Sequence, residues 1–82
     1  MTITEINEKI KAGVVFEGAF IKPKWFLWNN RKYNVKEILF QWKSAEGAAV
    51  IIHFSVSDGT SMYELTFNQK TLDWILDKTA VE

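Results

Sequence analysis

The segment "AVIIHFSVSDGTSMYELTF", residues 49 to 67, places the strongest constraint on the fold. Apolar side chains alternate with polar ones on both sides of Asp58-Gly59, a dipeptide typical of two-residue hairpin turns. Opposed residues on antiparallel strands share one face of the sheet. The predicted inner pairs are Val56 with Ser61, Phe54 with Tyr63, Ile52 with Leu65 and Val50 with Phe67; the outer pairs are His53 with Glu64 and Ile51 with Thr66.

A second hairpin is predicted around Asn29-Asn30, because asparagine tolerates the positive φ angles of a type I′ turn. This register opposes Trp28 with Arg31, Phe26 with Tyr33, and Lys24 with Val35. The inner face then holds Trp28, Phe26, Tyr33 and Val35, and the outer face holds Trp25 and Leu27 opposite Asn34 and Lys32.

In the next strand, the apolar residues switch from odd-numbered to even-numbered positions. Tyr33 and Val35 are odd-numbered, whereas Ile38, Phe40 and Trp42 are even-numbered, and one continuous strand cannot bury both sets on one face. We expect a bulge near Lys36-Glu37 that lets both sets point inward and curls the sheet.

Residues 72 to 78 fit two structures. A helix capped by Asn68 would place Leu72, Ile75 and Leu76 on one side. A strand after a turn at residues 68–71 would continue the inner face of the preceding hairpin, and this agreement favours the strand. Its predicted pairs are Leu72 with Phe67, Trp74 with Leu65 and Leu76 with Tyr63.

The N-terminal residues suggest one short helix. Thr2 and Glu5 form a capping-box pattern, and Gly13 would end the helix. Its apolar stripe, which would pack on the sheet, consists of Ile3, Ile6 and Ile10. A strand is expected over "VVFEGAFI", with Gly18 interrupting it.

These elements predict a mainly β (α+β) domain: a curved antiparallel meander of about six strands, or a half-open barrel, with one short N-terminal helix. With 82 residues, the chain is expected to be a single domain over residues 1–82. It has no cysteine, so a core rich in aromatic residues must supply the stability. A cytoplasmic location without membrane insertion is expected, because no signal peptide and no membrane-spanning apolar run are visible.

A set of aromatic, apolar and turn residues between positions 23 and 76 resembles a family of small bacterial β-rich domains of unknown function. The resemblance implies a β-rich fold and no particular reaction. Asn30 stands where that family usually has glycine, and the N-terminal helix is not part of its pattern. The matching residues are Pro23, Phe26, Trp28, Arg31, Tyr33, Val35, Ile38, Leu39, Trp42, Phe54, Tyr63-Glu64-Leu65, Trp74 and Leu76.

The residue census argues against catalysis, a metal site and a bound cofactor. His53 is the only histidine, and its pairing with Glu64 is typical of a cross-strand polar contact. The serines near His53 in sequence, Ser55, Ser57 and Ser61, do not form a nucleophile elbow. Asp73 and Asp77 share a strand face, but aspartates are usually solvated. The chain is therefore predicted not to be an enzyme.

Charge is unevenly distributed, although the net charge is zero. Residues 22–43 hold six basic side chains against one acid, and residues 44–82 hold six acids against two lysines. This pattern favours a protein-interaction or regulatory accessory module, with a protein partner or self-association. The alternative is a module for single-stranded nucleic acid or anions on the hairpin 22–36, unless the helix covers Trp25. The candidate surface comprises Lys22, Lys24, Trp25, Leu27, Lys32, Asn34 and Lys36.

Overall fold

Residues 2–81 fold into seven antiparallel strands that form one sheet. The structure is a computed structural model that describes residues 2–81. Within that range there is no helix, and so none that could cross a membrane. The strands are β1 (Thr2–Glu17), β2 (Phe20–Trp28), β3 (Arg31–Asn34), β4 (Glu37–Glu46), β5 (Ala49–Ser57), β6 (Ser61–Asn68) and β7 (Trp74–Val81), and they lie in the order β3-β2-β1-β7-β6-β5-β4.

The two edges of this sheet are linked by consecutive residues. Val35 donates its backbone N–H to the Lys24 carbonyl on β2 at 2.9 Å, and Lys36 donates to the Ser57 carbonyl on β5 at 2.8 Å. The run from β3 to β4 therefore pairs first with one end of the sheet and then with the other. This switch bends the sheet around its core. The predicted antiparallel β architecture is confirmed as one open sheet, with seven strands among the described residues rather than about six.

The concave face carries the core. Two strands, β1 and β7, separate Phe26 on β2 from Tyr63 on β6 in the sheet order, yet the ring centroids of these residues lie 5.1 Å apart. Such a contact requires strong curvature. Buried side chains from β2, β5, β6 and β7 fill this space: Phe26, Ile52, Phe54, Val56, Tyr63, Leu65, Phe67, Trp74 and Leu76.

The predicted N-terminal helix is wrong, because residues 2–17 form the long strand β1 between β2 and β7. The apolar spacing of Ile6 and Ile10 is also compatible with alternation in a strand. Ile6, Ile10 and Val14 pack against the core from this strand. Asn7, at φ 57°, lies within an irregularity in the pairing between Glu5 and Glu8. That irregularity disguises the period of two that a regular strand would show.

The hairpin around Asn29-Asn30 has the predicted structure. Both asparagines have positive φ, at 52° and 62°, as a type I′ turn requires. Trp28 opposes Arg31 and Phe26 opposes Tyr33. The outer pairs, Trp25 with Asn34 and Leu27 with Lys32, are also as predicted.

The hairpin between β5 and β6 exists, but its predicted register is wrong by two residues. Val56 opposes Tyr63 rather than Ser61, and His53 opposes Thr66 rather than Glu64. The loop is longer than two residues because Asp58 accepts hydrogen bonds from the backbone N–H groups of Thr60 and Ser61. A slip of two residues keeps each side chain on its face, so the predicted inner set still lines the core.

The C-terminal segment is a strand, as preferred, although its register also differs by two residues. Trp74 opposes Phe67 and Leu76 opposes Leu65. The connection runs to Asp73 because Asn68 accepts backbone hydrogen bonds from Lys70 and Thr71. Leu72 lies in that connection with φ 65° and is 68% exposed, so it does not pair with Phe67.

Ile38 points inward as expected, but Phe40 and Trp42, which were expected to do the same, do not. In place of the predicted bulge near Lys36-Glu37 the strand itself breaks, since β3 ends at Asn34 and β4 begins at Glu37, and an irregularity in the pairing lies between Ile38 and Phe40. Ile38 opposes Val56 and packs against the core, whereas Phe40 and Trp42 oppose Ser55 and His53 on the convex face.

Candidate functional site

The convex face of β1, β2 and β3 brings together part of the predicted binding surface. Leu27 lies between Lys11 on β1 and Lys32 on β3 in one cross-strand row. Trp25 lies between Gly13 and Asn34 in the next row. We call Lys11, Trp25, Leu27, Lys32 and Asn34 the basic hairpin face.

Trp25 is half-buried and is not covered by a helix. Its indole lies over the backbone of Gly13, so closely that a Cβ atom at Gly13 would overlap the ring. The Lys32 ammonium lies 5.1 Å from the ring centroid, within the range of a cation–π contact. Gly13 therefore supports the indole on β1, which is a different role from the predicted helix end.

The remaining lysines of the predicted surface lie outside the two cross-strand rows that hold Leu27 and Trp25. Lys22 is held by Glu17, whose carboxylate oxygen Oε2 is 2.7 Å from Nζ. Lys22 lowers the pKa of Glu17 through this hydrogen bond and its charge, and the charge of Lys24 adds to the effect. Lys36 extends over the turn glycine Gly59.

Lys11 is a member of the basic hairpin face that the sequence reasoning missed. Lys11 lies within the predicted N-terminal helix but not on its apolar stripe, so the helical prediction kept it apart from the hairpin. Once residues 2–17 are read as a strand, its odd number places it on the same face as Gly13. The alternation of Ile10, Ala12 and Val14, beyond the irregularity at Asn7, was the signal that could have identified it.

The second candidate surface is the free edge strand β4. It ends the sheet order, and every residue from Phe40 to Glu46 is exposed. Phe40 is 71% exposed and Trp42 is 43% exposed, both on the convex face. We call residues 40–46 the β4 edge.

A polar cluster adjoins the β4 edge. Ser44 Oγ and His53 Nε2 form a hydrogen bond of 2.7 Å, and Trp42 stacks on the His53 ring at 5.0 Å between centroids, with 6° between the planes. The predicted His53–Glu64 contact is diagonal, with 3.9 Å between Nδ1 and Oε1. Glu64 also faces Lys78, whose Nζ is 3.6 Å from Oε2.

This cluster resembles a serine–histidine–acid arrangement in the hydrogen bond between Ser44 and His53, but not in the contact between His53 and Glu64. A separation of 3.9 Å is too long for a hydrogen bond, so Glu64 does not orient the imidazole as an acid partner would. Ser44 was missed because it meets His53 only through the β4–β5 pairing, whose register was not predicted from the sequence. A concavity of about 370 Å³ beside the cluster is also lined by Asp73 and Asp77.

Metal coordination finds no support in residues 2–81, where no group of three histidine or carboxylate side chains could hold an ion. Comparison with known proteins found no matching family model, curated protein or solved structure. The resemblance over residues 23–76 therefore stays a prediction, and the two surfaces carry the functional argument.

Proposed function

We propose that this chain is a non-catalytic protein-interaction module, of the regulatory accessory kind, that binds a partner strand along the β4 edge. The observation that carries this proposal is an exposed edge strand with two large aromatic side chains on one face. Backbone groups along such an edge can hydrogen-bond to an added strand, and alternate side chains then determine which strand is preferred.

The other sheet edge is a poorer site for strand addition. β3 has 4 residues, whereas β4 has 10. Short strands and charged side chains are the usual means by which proteins protect an edge. Arg31 and Lys32 provide charge on β3, while the outward positions 40 and 42 on β4 carry Phe40 and Trp42. The β4 edge is therefore the more accessible and the more apolar of the two.

The proposal is tested with a random library of ten-residue peptides, selected against the immobilised protein. Selected peptides should be extended sequences with an aromatic or β-branched residue at alternate positions, and they should slow hydrogen exchange of backbone amides in residues 40–46. The double variant Phe40→Ala, Trp42→Ala should lose at least tenfold in affinity, because large aromatic anchors provide much of the energy at interfaces.

The matched control is the double variant Phe16→Ala, Phe20→Ala. These side chains are each 66% exposed and lie on β1 and β2, away from the β4 edge. The control should bind the selected peptides with unchanged affinity. Selection of peptides that protect only other strands would overturn the proposal.

A second candidate function is binding of single-stranded nucleic acid or another anion at the basic hairpin face. The row Lys11–Leu27–Lys32 next to Trp25 favours it, since stacking rings between cations are how many single-strand binders work. A single-stranded oligonucleotide should then quench tryptophan fluorescence at low salt, with affinity falling steeply as salt rises. Trp25→Ala should abolish the binding, while Trp42→Ala should preserve it.

A further inference from the structure

We infer that the strand added at the β4 edge comes from a second copy of this chain, paired antiparallel about a two-fold axis at Trp42. This inference rests on the proposed function and names its partner. A two-fold dimer brings the same surface of each subunit together, so the surface must complement itself. An edge strand meets this condition for its backbone, because each copy offers both donors and acceptors.

The side chains of the β4 edge limit the register. Phe40, Trp42 and Ser44 oppose Ser55, His53 and Ile51 on the convex face, whereas Gln41 and Lys43 oppose core residues. Opposed residues in the new pair must share a face, so the axis passes through a residue position rather than between two. An axis at Lys43 would oppose two lysines, and like charges directly opposite are destabilising.

With an axis at Gln41, only three consecutive residues, 40–42, could pair before the segment reaches the irregularity between Ile38 and Phe40. An axis at Ser44 would also avoid both problems, but it would oppose Trp42 with the partner's Glu46 and so would bring no aromatic side chains together. An axis at Trp42 avoids both problems and keeps the aromatics together. It opposes Trp42 with the partner's Trp42, Phe40 with the partner's Ser44, and Gln41 with the partner's Lys43. Five consecutive residues can then pair before the irregularity begins.

This register also extends an aromatic contact already present. Trp42 stacks on His53 with ring centroids 5.0 Å apart, which holds the indole on the convex face. The partner's Trp42 would meet it across the axis, and each Phe40 would reach the facing tryptophan diagonally. Two exposed aromatics per copy would thereby leave water, which is the main energetic gain of the dimer.

Self-association is measured by light scattering over a range of protein concentrations. The mass should rise from 9.5 kDa towards twice that value in the wild-type protein. Trp42→Lys should weaken dimerisation at least tenfold, because it places two like charges opposite each other on the axis. The matched control Phe20→Lys, which also replaces an exposed aromatic by lysine, should dimerise like the wild-type protein.

The register is measured with single cysteines, since the chain has none of its own. Under mild oxidation, Trp42→Cys should form a dimeric disulfide, because opposed Cα atoms lie about 5 Å apart and within disulfide reach. Phe40→Cys should not, because four residues of offset separate its two copies by roughly 13 Å. Efficient cross-linking through position 40 and not 42 would overturn this register.

The outcomes separate this inference from the function on which it rests. A mass of 9.5 kDa that stays constant to millimolar concentration would overturn self-pairing. If the same protein still bound strand peptides at residues 40–46, the proposed function would stand with a different partner. A dimer that Trp42→Lys leaves intact while Phe20→Lys disrupts it would overturn the β4 edge as the dimer interface.

Discussion

The hydroxyl of Tyr63 donates a hydrogen bond of 3.0 Å to Oδ2 of Asp58. The other carboxylate oxygen of Asp58 accepts from the backbone N–H groups of Thr60 and Ser61, both at 2.8 Å. One carboxylate thus organises the loop between β5 and β6 and ties it to a tyrosine whose ring contacts Phe26 in the core.

Replacing Tyr63 by phenylalanine should lower the free energy of unfolding by about 1–2 kcal/mol, because the ring packing stays while a hydrogen bond to a charged group is lost. Urea denaturation followed by fluorescence measures the change. Asp58→Ala should cost more than Tyr63→Phe, since it also removes the two backbone hydrogen bonds of the loop. Equal costs for the two variants would contradict this account.

The free energy of unfolding should fall at both acidic and alkaline pH, because the hydrogen bond between Tyr63 and Asp58 requires a neutral tyrosine and an ionised aspartate. Burial alone would raise the pKa of Asp58, but the hydrogen bonds from Ser61, Thr60 and Tyr63 outweigh it and lower the pKa below the ordinary 3.8. A carboxylate with a lowered pKa contributes stability above its unfolded pKa and loses it as pH falls through the folded one. Acid should therefore weaken the wild-type protein more than Asp58→Ala.

At alkaline pH the same reasoning applies to Tyr63. Burial, then the hydrogen bond to Asp58 and its charge, raise the pKa of Tyr63 from 10.0 to about 12. The associated stability is complete below pH 10 and is lost as pH rises towards 12. Denaturation midpoints should fall in this range for the wild-type protein and fall less for Tyr63→Phe.

Gly13→Ala should destabilise the protein by about 1–3 kcal/mol, since the new Cβ overlaps the Trp25 indole and must displace it. The tryptophan emission should also shift to the red as the indole becomes more exposed. Adding Trp25→Ala should remove most of this penalty, because the clash then disappears. Additive effects of the two substitutions would show that Gly13 does not act through Trp25.

Asn30→Gly and Asn30→Ala should have opposite effects on stability. Asn30 has φ 62°, a conformation that glycine adopts freely and that costs alanine about 1 kcal/mol. Thermal unfolding should therefore rank glycine at or above asparagine and alanine below it. A more stable alanine variant would contradict the type I′ turn.

Ser44 should behave as a structural hydroxyl rather than a nucleophile. Ser44→Ala removes the hydrogen bond to His53 and should cost about 1 kcal/mol. After treatment with a fluorophosphonate probe, mass spectrometry should find no adduct on Ser44. The reason is that Glu64 does not hold the His53 imidazole in place for proton transfer. An adduct on Ser44 that disappears in His53→Ala would show the chain to have a reactive serine.

The sequence predicts the faces of this sheet better than its registers. The inner side chains Phe54, Tyr63 and Leu65 were identified correctly even though the loops at Asp58 and Asn68 are longer than expected. The side-chain oxygens of those two residues accept hydrogen bonds from loop backbone N–H groups, which sets the loop lengths. A register shift of two residues leaves no trace in an alternating pattern.

The two larger errors have one cause, which is local irregularity. The break at Asn7 gives β1 a spacing that resembles a helix, and the irregularity after Ile38 turns Phe40 and Trp42 outward. Both candidate surfaces depend on these positions: Lys11 joins the basic hairpin face through β1, and the β4 edge gains its aromatics after the bulge. The regular hairpin around Asn29-Asn30 let the sequence place Trp25 and Leu27 on the correct side of the sheet. Beyond a bulge, a single sequence identifies the residue types of a surface but not the side of the sheet that they occupy.

The position of β1 has a consequence for the order in which the chain can fold. Its residues pair with β7 from Thr2 opposite Val81 to Ile10 opposite Trp74, contacts that join opposite ends of the described chain. Of the seven described strands, β1 leaves the ribosome first and β7 last, while β5 and β6 can pair as a hairpin before β7 is made. Contacts between such distant residues slow folding. The nascent chain must therefore expose the apolar face of its early hairpins until β7 arrives.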